Sequence, residues 1–479
     1  MHFSLNQINK IVRFLFALAI ILLPFNALPY FRNILREIAY EGTFYPLFTL
    51  MVIFGIMFLQ GEKIMLPKHI SFKILILFLF WILLSSSVNF FSIASVETKG
   101  RTGVEKFLLQ FMLVIFVIIT SLLIYNITVR LQEPLYNFRR FIMISFLIAG
   151  AYSLVEIAFL TGQNWAGNIL QAIDLIIRDT SQGATLYFGR LRSVSGEASW
   201  FALYCSFALP WIFSYIFTAR RYNIWLFLLI SFYLLLLIIL SLSRAAYVIT
   251  IVQLFLFIFA LFFSRQKSIQ KGRIYALLLS LVVAIFIVTI GFKDSIFFRQ
   301  TILDVLFSLI SLENLSNVAR IGSQITGFSI ALDYPIFGVG LGQYGFYMAD
   351  YVPDWAKTDE MLAWIDPSVG TPWAPVHGIY SRISCELGFV GLVIWLAIWL
   401  TVLYSCYKRY RLNSRLAGSH DILGLSLLIS IIGMLLSGFN IDSFRFFGYW
   451  ITLGVAWLYL SSSTSNKIAS SYELKHRHS

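Results

Sequence analysis

Charge and cysteine are what this chain has least of. Asp, Glu, Lys and Arg make up 12% of its 479 residues, against about a quarter in soluble globular chains. Hydrophobic residues make up 59%, with a mean hydropathy of +0.81. A soluble globular chain is excluded, and a polytopic membrane protein is indicated. The three cysteines, Cys205, Cys385 and Cys406, all fall in apolar runs without CxxC or metal spacing, so neither a disulfide framework nor a zinc site is expected. No Asp-x-Asp, HExxH, Walker A or GxSxG pattern occurs. Metal-bound sugar nucleotides, zinc hydrolysis and ATP coupling therefore find no support, and no metal or other cofactor is expected.

What is present is apolar sequence in lengths that cross a hydrocarbon core of about 30 Å. Twelve runs qualify, near residues 11–30, 43–60, 71–91, 106–127, 139–160, 197–218, 223–242, 245–263, 274–292, 379–406, 421–439 and 444–462. The expected fold is all-α, with about twelve transmembrane helices. Lys10 and Arg13 precede the first run as in a signal peptide, but no small-x-small cleavage site follows, so that run is read as the first span. The basic residues of the short loops, among them Arg139, Arg140, Arg220, Arg221, Arg265, Arg409 and Arg411, then lie on one side. That side is the cytoplasm by the positive-inside rule, with both termini inside, and the net charge of +13 needs no nucleic acid to explain it.

The opposite, periplasmic side holds the long connections, which is where work is expected. Residues 1–292 carry nine spans with a smaller outer segment near 161–196; residues 293–378 form the large outer loop, with short helices; residues 379–479 carry three spans and the cytoplasmic tail. Within the loop, Ser295–Leu312 has the spacing of a helix lying along the membrane surface. A second helix is expected from Val318 to Leu332, with Arg320, Ser323, Gln324 and Gly327 on one side and Ile321, Ile325, Phe328 and Leu332 on the other. Pro335 ends it, and Gly338, Gly340 and Gly342 suit a backbone that turns or approaches something closely. Trp355, Trp364 and Trp373 suggest a segment folded onto the headgroup layer. No internal repeat of 20–50 residues is visible, which weighs against a transporter built from repeats.

Of the six histidines only His377 faces outward, at the boundary between the loop and the next span, two residues after Pro375. It is a candidate base; the plain alternative is a helix-start residue bonded to a headgroup or carbonyl. Arg192, Arg244 and Arg320 are outer arginines at or near the interface. Interfacial arginine is costly to desolvate and pairs with anions, which suits a diphosphate clamp, although snorkelling explains any one of them as well. Glu197 and Glu386 are accessory candidates. For Glu197 the competing role is a helix cap, and for Glu386 it is pairing with Arg382 four residues earlier. Gly388 and Gly391 read as a pair that lets helices approach.

The order and sidedness of these features, Arg192 before a span, Ser243-Arg244-Ala245 in a tight outer hairpin, Arg320 followed by Asp333-Tyr334-Pro335-Ile336-Phe337-Gly338-Val339-Gly340, and His377 followed by Gly388-Phe389-Val390-Gly391, resemble the O-antigen ligase and polymerase superfamily. Gly378 departs from the Asn or Ser often found after the histidine. The resemblance implies a metal-independent, inverting glycosyltransferase in the bacterial inner membrane. Its donor would be an undecaprenyl-diphosphate-linked glycan and its acceptor a glycan or lipid-linked molecule, with membrane lipids and polysaccharide-assembly proteins as partners and no nucleic acid. The arginines would hold the diphosphate and His377 would stand near the acceptor hydroxyl. Ser195-Gly196-Glu197-Ala198-Ser199 resembles the Glu-Pro-Ser segment of polymerases, with Ala198 for proline, which tilts the expectation to an O-antigen or exopolysaccharide polymerase. The alternative is a ligase acting on lipid A core, and a lipid-linked glycan transporter ranks third.

Overall fold

The computed structural model describes residues 5–31, 35–179, 189–220, 223–262, 271–291, 315–369, 373–416 and 421–461. Each of the twelve apolar runs falls on a helix: α1 (Leu5–Ile21), α2 (Phe44–Leu59), α3 (Ile70–Val88), α5 (Gly103–Arg130), α6 (Pro134–Leu160), α8 (Ala198–Thr218), α9 (Ile224–Leu240), α10 (Arg244–Phe262), α11 (Lys271–Gly291), α15 (Ile379–Leu416), α16 (Ile422–Ser437) and α17 (Phe447–Ser461). Among the described residues, six helices (α3, α5, α6, α8, α10 and α15) are long and apolar enough to cross a membrane, and α2, α9, α16 and α17 are shorter apolar helices. The fold is thus that of an all-α membrane protein, while the count of twelve spans rests on the sequence alone.

Several of these helices are apolar all round, as burial on one side and lipid on the other require. In α9, Leu234, Leu235, Leu237 and Ile238 are buried whereas Trp225, Leu226 and Leu229 face outward. The central layer is built where α5 packs on α17, α3 on α15, and α8 on α16. Its aromatic heart is Trp395, Trp399, Tyr449 and Trp450, with Trp395 edge-on to the other three at 6.0–6.1 Å. Outside it, the short connections include α4 (Phe90–Ser95), a two-residue hairpin pairing Glu97 with Thr102, and the amphipathic α7 (Asn164–Ile177). Lys99 and Gly100 close that hairpin with φ of 52° and 66°, the backbone a tight turn of that hand needs.

The described part of the large outer loop folds as α12 (Leu315–Asp333), α13 (Tyr344–Tyr351) and α14 (Asp359–Ile365). They share a small core of their own in which Ala319, Ile330, Val339, Tyr344, Met361 and Trp364 meet Cys385 of α15. The predicted surface helix at Ser295–Leu312 lies outside the described residues. Helix α12 divides as its sequence predicts, and the side turned to the protein is the small, polar one: Ala319, Ser323 and Thr326 are buried, while Ile321, Ile325, Phe328 and Leu332 are 38–70% exposed. An apolar stripe facing out at this level is what contact with lipid favours.

The loop is locked to the bundle at a break in α15. At 38 residues an unbroken helix would be far longer than a hydrocarbon core of about 30 Å, and Gly388, at φ 70° and ψ 176°, divides it. Gly388 is therefore a break rather than one half of a helix-approach pair; Gly391 is the one that packs closely, beneath Trp81. The freed backbone groups are taken by the glycine turn. Val339 N–H donates to Cys385 O (2.9 Å), Gly340 N–H to Glu386 O (2.8 Å) and Phe389 N–H to Pro335 O (2.8 Å). The carbonyl of Leu387 accepts from Trp81 Nε1 at 2.8 Å. Gly338 (φ 65°) lies so close to Cys385 and Gly388 that no side chain fits there. The close approach its glycines predict is thus an approach to another backbone.

Candidate functional site

The segment from Trp373 to Gly378 has no regular structure, and three neighbours hold its backbone. Asp442, in the connection between α16 and α17, accepts from the N–H groups of Val376 (2.7 Å) and His377 (3.3 Å). From α12, Ser323 Oγ donates to the Val376 carbonyl (3.2 Å), and Gln324 Nε2 to the carbonyls of His377 (3.0 Å) and Phe439 (3.1 Å). Arg320, one turn earlier on α12, donates to Asn440 Oδ1 at 3.1 Å. These bonds keep His377 at φ 58°, a left-handed conformation that costs a non-glycine residue about 1–3 kcal/mol and is tolerated where the surroundings over-determine it. The imidazole packs on Trp364, centroids 5.3 Å apart, and its Nε2 is buried without a hydrogen bond.

The charges around His377 oppose one another. Burial lowers its pKa from the ordinary imidazole value; Asp442 pulls it back up and Arg320 pushes it further down. Asp442 is itself held below the usual carboxylate range. Burial works against its ionisation but is outweighed by Arg382 first, then by His377 and the two backbone N–H groups. The imidazole is therefore kept neutral, between a fixed negative charge and an arginine.

Arg320 and Arg244 are brought together: after burial, the strongest influences on the charge of Arg244, at the start of α10, are Arg320 and then Arg190. Arg192 sits elsewhere. It lies 3.7 Å from Asp174, and its principal electrostatic neighbours are Arg178, Asp174, Glu156 and Tyr152. Glu197 is exposed at the N-terminus of α8, where its carboxylate accepts from Ser199 Oγ at 3.2 Å. Glu386 is buried and takes Arg382 Nε at 3.1 Å, the pairing that its spacing predicts. Of the candidate residues, the structure thus gathers His377, Arg320 and Arg244; Arg192 and Glu197 stand outside that group, and Glu386 reaches it only through Arg382. Of the three loop tryptophans, Trp364 and Trp373 pack inward, on His377 and on Lys106 respectively, and Trp355 is exposed. Among the described residues no three His, Cys, Asp or Glu side chains gather as a metal site would need, and the three cysteines are free and buried.

Reasoning from sequence missed Asp442, Gln324's part in holding His377, and Arg190. Asp442 was within reach, since Asn440-Ile441-Asp442-Ser443 is a tight outer connection between two spans, the same circumstance that singles out Arg244. Arg190 has the same sidedness as Arg192, two residues on.

Residues 229–396, about a third of the chain, match the O-antigen ligase family, which supports the resemblance to the O-antigen ligase and polymerase superfamily. The match takes in Arg244, Arg320, His377 and Glu386, and leaves out Arg192, Glu197 and Asp442. No curated protein matches the chain.

Proposed function

We propose, on the premise that the central segment belongs to that superfamily, that this protein is a surface-polysaccharide polymerase. It would transfer glycan from an undecaprenyl-diphosphate donor to a sugar hydroxyl at the periplasmic face of the bacterial inner membrane, with inversion and without a metal. The observation that carries the proposal is the placement of a neutral, backbone-strained histidine beside Arg320, which in turn neighbours Arg244. In the reaction the acceptor hydroxyl gives its proton to His377 as its oxygen bonds the donor's anomeric carbon. The bond from that carbon to the diphosphate breaks, and its electron pair leaves with the lipid diphosphate. Arg320 and Arg244, with Arg190 beside them, stabilise that growing charge by fork-like, charge-assisted hydrogen bonds. Arg192 would join them by leaving Asp174.

The arrangement also couples donor binding to basicity. Arg320 depresses the proton affinity of His377; an anionic diphosphate on Arg320 cancels part of that effect, so the base strengthens when the donor is in place. A ligase is the second reading, favoured by the description of the matched family as O-antigen ligase.

The test uses purified protein, a lipid-diphosphate-linked repeat unit as sole substrate, and EDTA. Products of increasing length that vanish in His377→Ala, with the variant still folded, support the polymerase; His377 acting as general base predicts a loss of about 10²–10⁴-fold. Label transferred only when lipid A core is added makes the protein a ligase. Full activity in His377→Ala sinks the mechanism in either form.

A further inference from the structure

Next to the His377 segment the protein forms a partly open cavity of about 200 Å³, and six charged residues line it: Glu37, Lys106, Arg382, Glu386, Asp442 and Arg445. Five of the six are matched. Glu386 takes Arg382 Nε at 3.1 Å, and the other guanidinium nitrogens of Arg382 donate to Gln110 Oε1 and the Asp442 carbonyl, each at 2.8 Å. Asp442 is held by two backbone N–H groups. Arg445 donates to Ser443 Oγ (3.2 Å) and the Glu37 carbonyl (2.9 Å), with its guanidinium 4.0 Å from the Glu37 carboxylate. That proximity holds Glu37 below the usual carboxylate range.

Lys106 is the exception. It is 4% exposed, and its ammonium lies 4.1 Å from the centroid of the Trp373 ring. No hydrogen bond or ion pair reaches it among the described residues. A cation–π contact does not neutralise a charge, and the same ring carries Arg101 at 5.3 Å, which adds charge of the same sign. A buried ammonium left this way is costly unless an anion joins it.

We propose that this cavity is a binding site for one carboxylate-bearing sugar ring, with its carboxylate on Lys106. The volume is below the ~300–1,000 Å³ of drug-sized sites, which limits the occupant to about one ring. Besides Lys106, which has no direct ion pair among the described residues, the walls carry two arginines against three carboxylates, so a single negative charge suits the site better than a phosphate dianion. The Gln110 amide nitrogen makes no hydrogen bond among the described residues and is available to a ring hydroxyl. Val376 and Asp442 are shared between the cavity and the backbone that positions His377. A sugar held here would be a unit of the acceptor glycan, against Val376, one residue along the chain from the base, and the site would select acidic glycans. This assignment to the acceptor rests on the transferase reading; the binding itself does not.

The experiment measures binding to the full chain in nanodiscs of zwitterionic lipid, by saturation-transfer NMR, with D-glucuronate, D-glucose and inorganic phosphate as probes. Glucuronate should bind saturably and better than either of the others. Lys106→Met should weaken it by about ten-fold or more without lowering the melting temperature, since it removes an unmatched buried charge. Lys106→Arg should keep most of the affinity, and Glu37→Gln should strengthen binding. Glucuronate binding no better than glucose or phosphate, or equal in wild type and Lys106→Met, overturns the proposal, as does a Lys106→Met variant that melts lower with its binding intact. If glucuronate binding behaves as stated while His377→Ala transfers normally, the cavity stands and the transferase mechanism falls.

Discussion

Two groups of arginines in the molecule are built on opposite plans. In the first, Arg178 is 5% exposed and donates to Asp174 at 2.9 Å and to the carbonyls of Ser193 and Ser195. Asp174 also accepts from Tyr152 at 2.6 Å, and Glu156 accepts from the N–H groups of Arg192 (3.1 Å) and Ser193 (2.7 Å). Every charge there has an opposite beside it, and together they stitch residues 190–195 to α6 and α7. In the second, Arg244 stands near Arg320 and Arg190, two charges of its own sign, and Arg320 donates to the neutral side chain of Asn440. Matched charges describe a joint in the scaffold. On the proposed reading, the like charges are held for the donor's diphosphate.

The comparison breaks if the two groups answer substitution alike. Arg178→Met should produce the largest effect, a loss of about 3–5 kcal/mol in stability, because it leaves Asp174 buried and stripped of its closest cation. Protein that does fold should still transfer glycan at close to the wild-type rate. Arg320→Lys should do the reverse, leaving thermal stability unchanged and lowering transfer about 10²-fold, since lysine keeps the charge but not the bidentate fork. Melting curves and the ladder assay on the same preparations decide between these outcomes. An Arg320→Lys protein that melts early, or an Arg178→Met protein that folds well and transfers nothing, would remove the distinction.

What could be read from the sequence follows from the range over which each signal acts. The spans, the polar face of α12 and the Arg382–Glu386 pair depend on neighbours within a few residues, and their periodicity records them. His377 stood out because its boundary is a local change of composition. Asp442 acts on backbone 65 and 66 residues away, and a single aspartate in a short connection has no pattern to betray it. The break at Gly388 was hidden for a related reason. A glycine in an apolar run suits close packing or a bend equally well, and the backbone of residues 335–340, some fifty residues earlier, settles which it is. Nothing near Lys106 in the sequence marks it either, because the ring over its ammonium is Trp373, far along the chain.

The smallest expected effect bears on how the second group reaches His377. Asp442 raises the proton affinity of the imidazole while burial and Arg320 lower it. Since the net shift is downward from an ordinary value of about 6.5, the neutral base persists below that pH, and the acid limb of transfer should lie on the acid side of about 6.5. The stability linked to this group runs the same way: it is complete above the unfolded value and declines as pH falls below it, because acid protonates the exposed imidazole of the unfolded chain first. Asp442→Asn removes the upward pull, so the imidazole's titration, followed by NMR, should move to still lower pH. Transfer at neutral pH should then fall by about ten-fold, because the base is weaker. Arg320→Met removes a downward pull and should move the titration the other way. Opposite shifts in the two variants place His377 between a scaffold charge and a ligand-facing one; shifts of the same sign, or none, mean that the aspartate merely pins the backbone of residues 376 and 377 and the arginine acts on the donor alone.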